Sequence, residues 1–580
     1  MKIVLDIEAN GLHPDRIWCI VAKELENGGT SSVFLADEIS RFGDWCRDNS
    51  VSTIIGHNVL GYDIPVMERL IPNFNWRQGE VEDTLVMSRL ANPQREGGHS
   101  LDSWGERLLF PKGEHSEWNK FSWEMVEYCQ RDVDVTAKVY EQLKIELDGF
   151  SSESVALEHQ VARIIHQQVE NGWTLDEKKA YILLGELRQK LFKVEQTVRE
   201  KFKPLPVFVP LNHPGDKCYN KDGSVAKRYQ NQLDKGAHFN KKGEWGCITY
   251  PLFNLGSRQQ IGKYLQHFGW KPKQFTDKGS VIVNEAVLSG VDIPEAKMIA
   301  EYLMLQKRVA QVQSWVDAVE IDGRVHGYVN PIGAVTGRMT HSSPNLAQVP
   351  ASYSPYGKEC REVWTVPKGK CLVGMDASGL ELRMLAHYMN DKEYTNEVLH
   401  GDIHTANQVA AGLQSRDSAK TFIYAFLYGA GDEKIGSIVD GSRADGKRLK
   451  AKFLDNTPSL RTLRERVVTA SGRGYLKGLD GRRIWVRSSH SALNTLLQGA
   501  GAIVMKKALT ILEKDANIKD IGYKFIGNIH DEIQTEVNEE QAEIFGNLAV
   551  MAIQKAGEEL NLNCPLDGEY KIGESWNETH

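Results

Sequence analysis

The chain has 580 residues, with 41% apolar and 25% charged side chains and a formal net charge of −7 at pH 7. Those values are ordinary for globular protein, and the length predicts roughly three to five folding units. No run is apolar for long enough to predict a membrane span, and the eight cysteines form no Cys-x-x-Cys pair, which argues against a zinc site or disulfide framework and for reduced thiols.

The chain opens on "MKIVLDIEANGL", which reads as a strand carrying acids rather than a cleavable signal. Residues 1–150 alternate short strands ("KIVLDIEA", "VSTIIGHNV") with helices, above all "SWEMVEYCQRDVDVTAKVYEQLKIEL", and predict an α/β domain. Residues 152–203 turn helical, with one helix ending at Gly172 and a second following at once. Residues 204–250, rich in Pro, Gly, Asn and Lys, read as an irregular insertion. Helical patterning resumes at "SRQQIGKYLQHFGW" and "IPEAKMIAEYLMLQKRVAQVQSWVDAV". The last 250 residues or so mix strands ("GKCLVGMDAS", "YKFIGNIH") with long helices, and no internal repeat is visible. The acidic total hides two basic stretches. Lys201–Gly243 carries nine Lys/Arg against three Asp, and Arg461–Arg487 carries eight against two acids. Each is either a solvated surface or a phosphate-binding one, because polyanion binding depends on local rather than total charge.

Two groups of acids stand out. In "VLDIEANG", Asp6 and Glu8 are two apart, so a strand points both to one face, where they resist joint ionisation unless a cation lies between them. Asp63 follows Asn58 and Tyr62, and Tyr128 and Asp132 are spaced by four on a helix, so ring and acid share a side. In the C-terminal half, Asp376 ends the apolar strand of "GKCLVGMDASGLELR". Asp531 lies between two strand-like runs in "YKFIGNIHDEIQTEV", either as a solvated hairpin tip or as a second carboxylate opposite Asp376. Two strand-end carboxylates brought together can hold a pair of divalent cations for in-line phosphoryl displacement. In "RDSAKTFIYAFLYGAG", Arg416, Lys420, Tyr424 and Tyr428 form one stripe of a helix, and Phe422, Ile423, Phe426 and Leu427 suit a core on the other side. Two cations followed by two rings suit a triphosphate followed by a base, although an amphipathic helix with a charged face reads the same way.

"DASGLELR", "RDSAKTFIYAFLYGAG" and "IHDEIQ" resemble motifs A, B and C of family A DNA polymerases. The wording is most similar to the branch carried by short-tailed phages of the T-seven type, and the likeness continues in "VTGRMTHSSPNLAQVP", "GDIHTANQ" and "LNTLLQGAGA". The resemblance implies that Asp376, Asp531 and the Ala377 carbonyl bind two Mg²⁺, with Mn²⁺ as a substitute. It implies that His404, Arg416 and Lys420 hold the dNTP triphosphate, with Tyr424 beside the sugar and Tyr428 near the templating pair. Glu381 would crowd the 2′ position, and Arg338, Asn494, Gln498 and His530 would touch the primer–template minor groove, where A·T and G·C acceptors are alike. Glu532 would be an assisting acid. The N-terminal acids resemble the three motifs of DEDD-type 3′–5′ exonucleases in the tyrosine variant. This implies Asp6, Glu8, Asp63 and Asp132 as ligands of two further metals and Tyr128 as the residue orienting the attacking water.

The expected architecture is therefore a ribonuclease H-like α/β exonuclease domain (1–150) joined to an α+β right hand. The right hand would comprise a thumb with a basic insertion at 204–250 (151–330), palm (331–400), fingers (401–485) and a second palm segment (486–580). The resemblance implies a proofreading replicative polymerase acting on primer–template DNA in the cytoplasm of an infected host, alongside a phage helicase-primase and single-stranded DNA-binding protein and with no membrane. The phage relatives recruit a host thioredoxin through a long thumb insertion. Here that segment is shorter and basic, so a thioredoxin-like clamp, a direct grip on phosphates and a relic all remain open. A low-processivity repair polymerase is the alternative. A catalytically dead scaffold would have lost Asp376, Asp531 or Lys420, and an RNA polymerase would lack Glu381.

Overall fold

The computed structural model describes every residue except 27–28, 77–78, 273, 277–278, 285–286 and 289. The chain forms two compact units, one of Met1–Asp176 with Ala318–His580 and one of Glu177–Asp317.

Within the first unit, the N-terminal sheet has the order β3-β2-β1-β4-β5, from β1 (Lys2–Ala9), β2 (Ile17–Glu24), β3 (Ser31–Leu35), β4 (Thr53–Gly56) and β5 (Glu80–Asp83). β1, β2 and β3 are antiparallel, and β4 and β5 run parallel to β1. The strict alternation of β1 divides it between two cores. Ile3, Leu5 and Ile7 pack with Phe34, Phe42 and Met67 on one face. Val4 packs on the other face with Val133 and Val139 of the long helix Trp123–Glu146. Asp6 and Glu8 share the parity of Val4 and so lie on the side covered by that helix.

The second sheet of this unit is antiparallel, in the order Tyr523–Ile529, Glu532–Asn538, Lys370–Ala377, Gly568–Gly573. It packs on helices Ala492–Ile518 and Ala542–Glu559 through Val373, Met375, Ile533, Leu509 and Ile553. By length and composition alone the segment Ser489–Ile518 could cross a membrane, but 78% of its apolar window is buried inside the fold, where it serves as the central core helix. Helix Ser152–Asn171 joins the same core through Leu157, Val161 and Ile164. It also carries Glu158, which is fully buried against Lys506 at 2.7 and 2.8 Å and against Arg482, itself bonded to Asp480. Removing one member would strand the other buried charges, at a cost of about 3–5 kcal/mol. Helices Ile403–Ala411, Arg416–Leu427, Arg443–Asp455 and Pro458–Ser471 form a further layer built on Phe422, Phe426 and Phe453.

The second unit is built on two long helices, Glu177–Lys201 and Pro294–Val316, over a core of Phe202, Phe253, Ile261, Leu265 and Ile299. Its bounds are narrower than the 151–330 read from the sequence, because the flanking segments pack with the first unit. Residues 204–250 are not irregular. They fold into a three-stranded sheet, Val207–Pro210, Trp245–Thr249 and His238–Phe239, with helix Lys227–Asp234 and a small core of Ala237, Trp245 and Cys247. Strands of two to five residues in a Gly- and Asn-rich stretch are too short for a period of two to register.

Candidate active sites

The first site lies at the end of the second sheet. Residues 530–531 are the two-residue turn of a hairpin whose strands close at Ile529 and Glu532, and His530 adopts a positive φ of 60°. Glu532 pairs directly with Asp376 across the neighbouring strands, and the Ala377 N–H donates to the Asp531 carbonyl at 3.2 Å. The turn therefore sits against the last residues of the Asp376 strand. Burial, then the carboxylates of Asp531 and Glu532, push the Asp376 carboxyl up to about 7. Crowded acids of this kind fit a divalent cation, which would favour the ionised form of Asp376.

Glu532 is turned to another task. Its carboxylate accepts from Trp576 Nε1 at 2.6 Å, from Gln534 Nε2 at 2.5 Å and from His580 Nδ1 at 3.0 Å; burial pushes it up, but His580, Gln534 and the Arg361 charge outweigh that and hold it below its ordinary value. It anchors residues 575–580 against the sheet. Gly374 makes room for that segment, since a Cβ there would lie 2.4 Å from the Thr579 carbonyl.

Above the sheet, helix Arg416–Leu427 is capped by Ser415 and buries Phe422, Ile423 and Phe426, which turns Arg416, Lys420 and Tyr424 outward with Tyr428 at its end. Arg416 Nε binds Asp402 at 2.7 Å, and Asp402 also caps helix Ile403–Ala411. The exposed Lys420 makes no ion pair among the described residues. The buried Nδ1 of His404 has no hydrogen-bond partner among the described residues, and its ring lies 6.3 Å from that of Tyr424. The Tyr428 hydroxyl donates to Glu381 at 2.9–3.0 Å, and Arg338 approaches the same carboxylate at 3.4 Å. Arg338, Ala502, Met505, Asn528 and His530 line one cleft. Asn494 and Gln498, two turns and one turn before Ala502 on the same helix, continue its half-buried face toward that cleft.

The second site lies under helix Trp123–Glu146. Asp6, Glu8 and Cys129 bring ligand atoms within 4.8 Å of one another. Asp63, the first residue of helix Asp63–Leu70, accepts from the Ile7 N–H at 3.1 Å. Asp132 joins them one turn after Tyr128. Burial first, and then mutual repulsion, push Asp6 well above its ordinary value and Glu8 up to about 9. Burial likewise raises Asp63 to about 7. Asp132 Oδ1 is buried with no hydrogen-bond partner among the described residues, which fits a cation that the four carboxylates would share. Two residues here carry no sequence signal. Lys112, on a loop, binds Asp132 Oδ2 at 2.8 Å and lies 4.7 Å from the centre of the Tyr128 ring. Cys129 Sγ lies 3.4 Å from Asp6.

These shifts set a pH dependence. Unfolded, Asp63 and Glu8 ionise near 3.8 and 4.5, whereas folded and metal-free they keep their protons to about 7 and 9. The folded state binds the extra protons, so its stability is greatest below the unfolded values and is lost as pH rises through that window. Divalent cations compete with those protons. Calorimetry with Mg²⁺ against EDTA should therefore show a stabilisation of roughly 5 °C near pH 8 that shrinks toward nothing near pH 5. A metal effect that is flat with pH would contradict the protonated cluster.

The chain is similar to known proteins along its whole length. The family model for DNA polymerase family A matches residues 224–578. The DNA-directed DNA polymerase of Enterobacteria phage T3 is 36% identical with all of both chains covered, and that of Escherichia phage T7 is 36% identical over 99% of each. Among solved structures, the POL domain of Pol1 from M. smegmatis, in complex with DNA primer-template and dNTP, superposes with a TM-score of 0.79. It covers all of this chain and 96% of its own at 18% identity, a likeness of fold.

Proposed function

The chain belongs to family A of the DNA polymerases, and from that premise we propose that it is a proofreading phage replicative polymerase, extending a primer on a DNA template and trimming mispaired 3′ ends at its second site. The observation that carries the reading is the closure of the Asp531 hairpin against the end of the Asp376 strand. DNA polymerases of this family use divalent metal ions. Two Mg²⁺, held by Asp376, Asp531 and the Ala377 carbonyl, would lower the pKa of the primer 3′-hydroxyl and neutralise the leaving oxygen.

The chain's own residues do the rest. Lys420, Arg416 and the unpartnered His404 hold the triphosphate in line, with Arg416 exchanging Asp402 for a phosphate. Glu381, fixed by Tyr428 and Arg338, fills the space a ribose 2′-hydroxyl would need. Arg338, Asn494, Gln498 and His530 read the shape of the nascent pair from the minor groove, where shape varies more than hydrogen-bonding pattern. At the second site Asp6, Glu8, Asp63 and Asp132 would hold two further Mg²⁺ that activate water, while Tyr128 orients it and Lys112 neutralises the phosphate being cut. The protein would act in the cytoplasm of the infected cell with a phage helicase-primase and single-stranded DNA-binding protein.

A labelled primer with a mismatched 3′ end, given Mg²⁺ and four dNTPs, tests the whole reading. Trimming followed by extension is expected; neither activity would refute it. A finer outcome concerns Tyr424, whose hydroxyl can stand in for the missing 3′-OH of a dideoxynucleotide. Wild type should accept chain terminators readily, and Tyr424→Phe should raise discrimination roughly 10²-fold or more. Equal stalling of the two proteins in single-nucleotide assays would remove that role.

A further inference from the structure

A turn recurs three times in the second unit. "YNKDGSV" (219–225), "FNKKGEW" (239–245) and "FTDKGSV" (275–281) share an aromatic residue, a tight turn closed by glycine and a returning apolar residue. In each the first and last residues pair across an antiparallel bridge. The second residue's N–H donates to the carbonyl four positions on, at 2.8, 2.9 and 2.7 Å, and the glycines adopt φ of 81°, 77° and 77°. Seven residues are too short a repeat to emerge from sequence periodicity, which is why none was expected.

The first two tips carry Lys221 and Lys241–Lys242, and the third tip, residues 277–278, lies outside the described residues. The neighbouring acids are occupied by the turns. Asp222 accepts from the Ser224 N–H and hydroxyl at 2.9 and 2.6 Å, and Glu244 accepts from Asn240 at 2.8 Å. Among the described residues the tip lysines have no acidic partner. The ring that opens each turn is more than half exposed: Tyr219 62%, Phe239 56% and Phe275 53%. The first two hairpins thus offer an ammonium two or three residues from a ring that packs on Tyr229 or Trp245 with part of itself and leaves more than half exposed. Lysine alone suits any polyanion. The repeated ring selects one whose flat apolar faces are accessible, which is an unpaired nucleic-acid strand rather than a duplex with stacked bases.

We propose that the first two hairpins, joined through Tyr229 and Trp245, form a grip for single-stranded DNA, with the lysines on phosphates and the rings on base faces. The grip is independent of both catalytic assignments and is read without catalysis. Full-length protein in EDTA is titrated against fluorescent oligo-dT and against a duplex of equal length, across a range of salt. Lys221→Ala/Lys241→Ala/Lys242→Ala should bind oligo-dT roughly tenfold or more weakly, with the slope of log K against log salt reduced by about 2, three phosphate contacts at ~0.7 each. Tyr219→Ser should weaken binding about fivefold without changing the slope. Both variants should melt as wild type does and should incorporate a single nucleotide normally at saturating primer–template. Unchanged affinity and slope in the lysine variant would overturn the proposal. So would equal losses on duplex and single strand with Tyr219→Ser silent, the behaviour of a phosphate grip on duplex DNA.

Discussion

Asp376→Asn and Asp531→Asn should each lower nucleotide incorporation by roughly 10³-fold or more, about 4 kcal/mol of transition-state stabilisation, while trimming of a mismatched 3′ end continues at the wild-type rate. The reason lies in how the two side chains are placed. Asp376 is fixed by pairing on both sides, to the strand Glu532–Asn538 and to Gly568–Gly573, and Asp531 is fixed by a two-residue turn whose carbonyl is tied to Ala377. Neither carboxylate is needed by the core, so asparagine should leave the sheet intact. Burial does most to raise Asp376, and the Asp531 carboxylate adds to it; losing that carboxylate relieves the added repulsion, so the Asp531→Asn protein should gain slightly in metal-free stability even as it loses synthesis. Pre-steady-state incorporation measured beside thermal melting separates a lost ligand from a lost fold. Incorporation within tenfold of wild type in either variant would remove these acids from the chemistry.

The parts of the two sites that were legible in the sequence are those set by local periodicity. Asp6 and Glu8 share a face because a strand has period two, and Arg416, Lys420 and Tyr424 share one because a helix returns every three to four residues. The Asp531 hairpin was legible because two charged residues interrupt two alternating runs. Packing across long separations left no such trace. Lys112 reaches Asp132 from a loop, and Cys129 meets Asp6 only because its helix covers the sheet. The Glu158–Lys506–Arg482 cluster joins residues more than 300 positions apart. Glu532 was legible as an acid beside Asp531, and the pairing does set it opposite Asp376, but its bonds to Trp576 and His580 left no trace in the sequence. The Asp402 cap was within reach, since a Gly-Asp pair before an apolar run is an N-terminal signal, but its ion pair with Arg416 needed the helix-to-helix packing.

The opposite separation of activities is expected at the other site. Asp6→Ala should cut removal of a mispaired 3′ nucleotide by roughly 10³-fold or more and leave correct extension within about twofold of wild type, so that mismatched primers stall. Asp6 stands at the centre of this cluster. It lies two residues from Glu8 on β1, contacts Cys129, and is raised by burial and then by Asp63, Glu8 and Asp132 together. Alanine there would remove a carboxyl whose proton the folded, metal-free protein holds well above its ordinary value, so the stability that is lost as pH rises should diminish. Lys112 supplies a control on the interpretation. Its ammonium competes with a cation for Asp132, so Lys112→Met should lower the Mg²⁺ concentration that half-saturates trimming while slowing trimming at saturating Mg²⁺, without touching extension. Trimming that survives Asp6→Ala, or extension that falls with it, would mean that the N-terminal domain is a binding module coupled to synthesis rather than a separate nuclease.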